Sequence, residues 1–396
     1  MKRILMLGGA DIQVSAIKRA KELGLYVITC DYLPNNPGHV FADEYYNVST
    51  TDKEAVLALA KSLSIDGILA YASDPAALTA AYVSEKLNLP GNHYKAVEIM
   101  SRKDLFRAFM IENGFLCPKA NSFSDYDTAK SWFTQLNKKA IIKPVDSSGS
   151  KGITSIELNE DFEQKFENAL SFSREKIIVV EEFIDKKGYQ IGGDGFLVNG
   201  ELVFRCFGDI HFSTTNPLLP CSVSMPSLHE TSILNKVHSA IQRLLAAIGM
   251  KMGALNFDVM IDKNDNVYII EIGPRNGGNM IPELTEYCTG IDMKTASILQ
   301  AVNEPLPLLE LGNETPYFSH YVIHAPKTGI VKNVEMDEYL KSHVLYSHLN
   351  FKIGDTVNKF TSSANRLGIM LLKYQTKEEM LDLIYNMHQH LNFEIE

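Results

Sequence analysis

Tyr268-Ile-Ile-Glu-Ile-Gly-Pro-Arg-Asn-Gly-Gly278, taken with Asn256-Phe-Asp258 upstream, decides how this chain reads. Val267 to Ile272 is an apolar, β-branched run with one carboxylate, Glu271, set into it. Such a run predicts a buried strand, where an ionised acid is costly unless something positive faces it. A second apolar segment, Ala254 to Ile261, carries its own acid, Asp258, and the Lys-Asn-Asp-Asn at 263–266 between the two is hairpin-turn chemistry. Two neighbouring strands that each present one carboxylate, with Arg275 just beyond, suit Mg²⁺ and phosphate. Hard cations take oxygen ligands, and a guanidinium forks onto phosphoryl oxygens. The competing reading is a buried ion pair between Arg275 and one of the two acids.

Three further stretches bear on that choice. Ala140 to Ile153 is a short strand ending in Lys143, followed by a loop of small residues. Backbone N–H groups in such a loop can wrap phosphate oxygens, and the lysine adds a point charge. The lysine precedes the glycines, so this is not a Walker loop. Lys176 to Ile184 is another buried-type strand, closing in Glu181-Glu182-Phe183-Ile184, whose edge can hold an adenine base by backbone hydrogen bonds. Ser101 to Phe106 opens a helix with Lys103 in its first turn. A cation there opposes the helix dipole, and a phosphate nearby accounts for its placement.

In this order the four elements resemble the ATP-grasp superfamily, the ligases that include biotin carboxylase, carbamoyl-phosphate synthetase, D-alanine–D-alanine ligase and several purine-pathway enzymes. The resemblance runs from Met1 to about residue 380. It implies an α/β and α+β protein with an ATP-grasp fold in single copy, since no internal repeat marks a second half. The expected domains are a Rossmann-like N-terminal domain over 1–92, an ATP-grasp domain over 93–304 with a lid at about 120–185, and a small C-terminal α+β domain over 305–396. By the same resemblance Lys103 and Lys143 hold nucleotide phosphates, and the loop from Ser147 to Gly152, with Ser148, Gly149 and Gly152, closes over them. Ile153 packs on the base, Glu181 accepts from its amino group, and the backbone of Glu182 and Ile184 pairs with its edge. Asp258 and Glu271 are the metal acids, and Arg275, with Lys143, serves catalysis by steadying the phosphorylated intermediate.

Two positions depart from the family pattern. Glu-x-Asn-Pro-Arg becomes Glu271-Ile-Gly273-Pro-Arg275, so one metal-binding oxygen is missing, and water or a nearby amide (Asn256, Asn276 or Asn279) has to stand in for it. Gln190 replaces a glutamate that grips the ribose hydroxyls. The implied activity is an ATP-dependent carboxylate–amine ligase, with ATP and Mg²⁺ or Mn²⁺ and release of ADP and phosphate. A bicarbonate or carbamoyl-type enzyme and a catalytically weakened nucleotide-binding regulatory protein are the alternatives.

Composition excludes other classes. The formal charge of −10, without a dense Lys/Arg track, argues against nucleic acid. No apolar run reaches membrane-spanning length, and Met1-Lys-Arg-Ile-Leu-Met-Leu reads as a first strand and not a signal peptide. Five scattered cysteines suggest reduced thiols and a cytoplasmic setting. The expected partners are small-molecule carboxylates and amines and a second copy of the chain in a homodimer.

The N-terminal third alternates strands (Arg3 to Leu7, Tyr26 to Cys30, Gly67 to Ala70) with helices. Gly8-Gly9-Ala10 lacks the third glycine of a dinucleotide fingerprint, which weakens a role for Asp31 on a ribose. Trp132 reads as packing on a helical stripe. Ser213 to Ser227 is polar and carries prolines, so it predicts a long irregular segment, and the resemblance implies that it faces the acceptor substrate. His211 before it is either a substrate contact or a hydrogen-bonded loop residue. Leu234 to Ile248 is a core helix, 305–316 a linker, and Lys377 to His390 a closing helix. His320 and His324 read as packing or surface residues. Specificity is expected in 208–227, 276–283 and the N-terminal domain.

Overall fold

The computed structural model describes residues 1–147, 149–214, 216–310 and 316–396. Among the described residues the first sheet is four-stranded and parallel, in the order Glu44–Tyr46, Tyr26–Cys30, Arg3–Leu7, Gly67–Leu69. The crossovers between its strands carry the Val14–Glu22 and Lys53–Leu63 helices, as βαβ chemistry requires. Burial on both sides explains why these strands read as continuous apolar runs.

A larger antiparallel sheet positions the site. Its eight strands run Val267–Gly273, Gly253–Ile261, Gln190–Val198, Glu201–Ser213, Asn216–Met225, Phe318–Ile323, Gly368–Lys373, Val344–Leu349. The C-terminal strands thus extend the sheet that carries the acids. The Asn199-Gly200 turn joins two of its strands with positive φ at both residues (52° and 86°), the geometry a tight hairpin needs. Alternation on the Gly253–Ile261 strand sends Leu255, Phe257 and Val259 into a core shared with Ile233, Val237 and Ile241 of the Thr231–Ile248 helix. Asn256 and Asp258 therefore face the other way. Gly249, at φ 86°, ends that helix.

A separate four-stranded sheet, in the stretch expected as a lid, runs in the order Ala120–Phe123, Ile178–Glu182, Ala140–Pro144, Thr154–Ile156. The Tyr126–Leu136 and Phe162–Ser171 helices cover it through Ala129, Phe133, Phe162 and Phe166. Trp132 packs on Phe123 at 5.8 Å, as its stripe suggested. The closing helix spans Lys377–His390.

Ser213 to Ser227 departs from the expected irregular segment. Asn216–Met225 is a strand, paired with the strands on both sides of it. The prolines hid the alternation: Pro220 sits where the register with Phe212 shifts, a place where a missing N–H is tolerated. No helix among the described residues is long and apolar enough to cross a membrane.

Candidate active site

Asp258 and Glu271 are direct partners across the antiparallel ladder, so their side chains rise from one face of the sheet. They line a cleft of about 650 Å³ together with Lys103, Gly149, Lys151, Ile153 and Arg275. Burial pushes the Asp258 carboxyl up to about 6; a hydrogen bond from Gln190 opposes the shift and the neighbouring Glu271 adds to it. A carboxylate in this state is short of positive charge, which a divalent cation supplies. Among the described residues no group of three or more His, Cys, Asp or Glu side chains converges as a metal site. The oxygens this face presents to a cation are those of the carboxylate pair and of a neighbouring amide.

Asn256 is the amide placed for it, because it stands opposite Gly273 on the ladder and lines the cleft. Its nitrogen is committed to Asp194 (2.8 Å) and to the Gly193 carbonyl (3.1 Å), so its oxygen is the atom it can offer. Asn276 is buried and its oxygen accepts from Ser297 (3.0 Å). The Asn279 oxygen accepts from Arg366 (2.8 Å). Of the three amides, Asn256 fits the vacant ligand position best.

Lys103, at the start of the Lys103–Glu112 helix, donates to the Ser147 carbonyl at 2.8 Å and lies 3.8 Å from Glu271. It links the glycine-rich loop to the acids. Gly149 and Gly152 both have positive φ (70° and 71°); a Cβ on Gly152 would sit 2.9 Å from the Phe172 ring. Ser148 lies outside the described residues.

Lys143 sits behind the cleft wall. Its Nζ donates to Glu181 at 2.5 Å, and Arg107 donates to the same carboxylate at 3.0 Å. All three are buried. Burial works against ionisation of Glu181, yet Arg107 and Lys143 hold it down to about 2. Burial pulls the Lys143 amine below its ordinary range, against the pull of Glu181. The Glu181 carboxylate, expected to accept from adenine, is thus engaged in a buried triad. Arg107 also donates to the Ile270 carbonyl (3.0 Å), tying the lid strand to the strand that carries Glu271. The Glu182 side chain pairs with Lys138, and its N–H donates to the Lys119 carbonyl at 2.8 Å. Ile184 lies just past the lid strand, half-buried. Gln190, placed by resemblance on the ribose, instead donates to Asp258.

Arg275 is in an ion pair, but with neither sheet acid. Its guanidinium is bidentate on Asp74, at 2.6 and 2.7 Å, where Asp74 begins the Asp74–Leu87 helix. Burial opposes ionisation of Asp74, and Arg275 still holds its carboxyl below the usual range. A Cβ on Gly273 would come within 3.0 Å of the Arg275 Cζ and 3.2 Å of Asp74 Oδ1. The missing asparagine leaves the room that this pair occupies.

His211 is a strand residue and not part of a loop. It is buried between Tyr385 (3.0 Å) and Ser224 (2.9 Å), while its neighbour Ile210 lines the cleft. Sequence reasoning missed Arg107, Asp74, Asp194 and Arg366. Arg107 carried a usable signal, as a cation four residues after Lys103 and so on the same helix face. Asp194, fully buried, is pushed up to about 7 by burial against hydrogen bonds from Gly277 and Asn256. It read only as part of a glycine-rich strand.

The loop at 149–153 of the smaller sheet and the paired acids of the larger one thus line a single cleft. Residues 136–283 match the ATP-grasp domain family, and residues 321–396 match the L-amino acid ligase C-terminal domain 2. Residues 136–283 thus carry an ATP-grasp domain, followed by the second matched domain near the C-terminal end. It is 26% identical over 310 residues, 76% of each chain, to the formate-dependent phosphoribosylglycinamide formyltransferase of Wolinella succinogenes. The L-amino acid ligase of Bacillus licheniformis shares the fold at a TM-score of 0.83 and 19% identity, over 100% of this chain and 99% of that one. The phosphoribosylglycinamide synthetase of Anaerococcus prevotii does so at a TM-score of 0.78 and 23% identity, over 100% of both chains.

Proposed function

We propose that this protein is an ATP-dependent ligase that joins a carboxylate to an amine through an acyl phosphate, releasing ADP and phosphate. The carrying observation is the convergence of Asp258, Glu271, Lys103 and the glycine-rich loop on one cleft. A carboxylate is a poor acyl donor because its leaving oxide is strongly basic; phosphorylation makes the leaving group weaker in basicity, and an amine can then displace it.

Lys103 and the N–H groups of 147–152 orient the nucleotide phosphates. Asp258, Glu271 and the Asn256 oxygen hold the divalent ion, Mg²⁺ or Mn²⁺, which supplies charge neutralisation between phosphates. Lys143 lends its charge from behind the wall, since it and Arg107 bring two cations to the one carboxylate of Glu181. Arg275, fixed by Asp74, faces the transferred group. The lid excludes water that would hydrolyse the acyl phosphate. The domain limits at 92/93 and 304/305 and a homodimer belong to the same reading.

Hydroxylamine tests it directly. With Mg·ATP and pooled small carboxylates, an acyl phosphate is trapped as a hydroxamate in step with ADP release. ADP release with bicarbonate alone, and no hydroxamate from any acid, would replace the carboxylate with bicarbonate as the phosphoryl acceptor.

A further inference from the structure

The face of the large sheet that carries the two acids continues well beyond them. Ile210, Val223, His320 and Leu371 are successive register partners on four neighbouring strands, and Leu371 is in turn paired with Tyr346. They form one row running away from Asp258. Beside the cleft lies a second chamber of about 340 Å³, and Ile12 and Asn350 line both spaces. Val14, Met280, Tyr287, Tyr346, Ile369 and Leu371 give the chamber an apolar and aromatic side; Lys18, Lys294 and His348 also line it, with Lys294 paired to Glu286 at 2.8 Å and Lys18 over the Phe41 ring. The two carboxylates at its edge are already engaged. Asp11 is held by Arg366 and Asn350, and Glu283 accepts from Ser15 at 2.7 Å.

His320 lines the cleft, and its register partner Leu371 lines the chamber. The histidine is 4% exposed, and its Nδ1 has no hydrogen-bond partner. A buried polar atom without a partner costs free energy that nothing in the surrounding sheet repays. Burial, then the charges of His211 and Arg366, push the imidazole down to about 3, so the ring is neutral at physiological pH. A neutral imidazole has one donor and one acceptor nitrogen, and it can accept from an amine N–H without charge repulsion.

We infer that this chamber binds the amine substrate, a primary amine on an apolar or aromatic body, and that His320 is its hydrogen-bond partner. The inference rests on the ligase reading above for the amine's role as acceptor. The size of the chamber, its apolar side and its continuity with the proposed phosphate site through Ile12 and Asn350 carry it, and the unpartnered imidazole of His320 lies on the cleft side, one register position from Leu371 of the chamber wall. His320 is a substrate-contacting residue in this account. Its burial excludes the surface role that its sequence allowed.

Calorimetric titration of the full chain, saturated with Mg²⁺ and a non-hydrolysable ATP analogue, separates the two claims. The probes are L-leucine, L-phenylalanine and glycine. Leucine or phenylalanine is expected to bind at least tenfold tighter than glycine. His320→Leu should weaken the tighter ligand at least tenfold with the nucleotide affinity unchanged, and His320→Gln, which keeps hydrogen-bonding capacity, should retain most of it. Val14→Trp, at a half-buried position on the chamber wall, should erase the preference over glycine, and it stands as the test if a His320 variant does not fold. Equal binding of all three probes by the wild type, or wild-type affinity in both His320→Leu and Val14→Trp, would overturn the inference. Absence of ADP formation with every acid and amine would count against the ligase reading alone, because these titrations need no turnover.

Discussion

At Gly273 a side chain has no room to grow without displacing Arg275, because its Cβ would lie 3.0 Å from the guanidinium carbon. Gly273→Asn, which restores the family pattern, is therefore expected to destabilise the protein by about 1–3 kcal/mol in urea denaturation, as overpacking does. It is not expected to improve metal affinity. In the proposed site the compensating oxygen is that of Asn256, opposite Gly273 on the ladder. Asn256→Ala should raise the Mg²⁺ concentration for half-maximal activity at least tenfold, read from a metal titration at saturating ATP. Glu271→Gln should lower turnover more than a hundredfold with an unchanged circular dichroism spectrum. The two sheet acids were legible in the sequence because each interrupts an apolar strand. The partner of Arg275 was not, since Asp74 is 201 residues away and reads locally as a helix cap.

The Ala140–Pro144 and Ile178–Glu182 strands and the Lys103–Glu112 helix meet at Lys143, Glu181 and Arg107. Removing one member of a buried charged group leaves the others uncompensated, so Arg107→Met should cost about 3–5 kcal/mol. A chemical denaturation curve measures that loss. Glu181 also sets an acid limb. Its folded value of about 2 lies below the ordinary 4.5, so folding favours its ionised form. The stability it contributes is complete above about pH 4.5 and is lost as the pH falls toward 2. Denaturation midpoints measured across that window should fall less steeply in Glu181→Gln. The strands themselves were readable from their β-branched runs, but the destination of the strand-end lysine was not. A lysine beside a glycine-rich loop looks open to phosphate, and only the packing of the helix shows a carboxylate waiting behind it. The Asn216–Met225 strand was missed for a different reason: its prolines obscure the alternation, and its register is set by strands on either side.

Across the whole molecule, one sheet joins the acids of residues 253–273 to strands beyond residue 318. The C-terminal part also reaches the lid: Ser363 donates to the Gly149 carbonyl at 3.0 Å, and Arg366 pairs with Asp11 of the N-terminal part. Nucleotide binding should therefore slow amide exchange at 149–152 and at 361–366 together, as hydrogen-exchange mass spectrometry would read. Protection of the lid loop alone would mean that the Ser363 contact is not part of closure. This convergence of three chain regions was invisible in sequence, because contacts such as Arg366 to Asp11 span 355 residues. The central claim concerns the chemistry that the convergence serves. Its most direct test is ADP and phosphate release from Mg·ATP across pools of amino acids and small carboxylates, with the wild type beside Glu271→Gln. The account predicts release that requires one acid together with one amine and is lost in the variant. Silence across all pools with nucleotide still bound, or equal release by the variant, would contradict it.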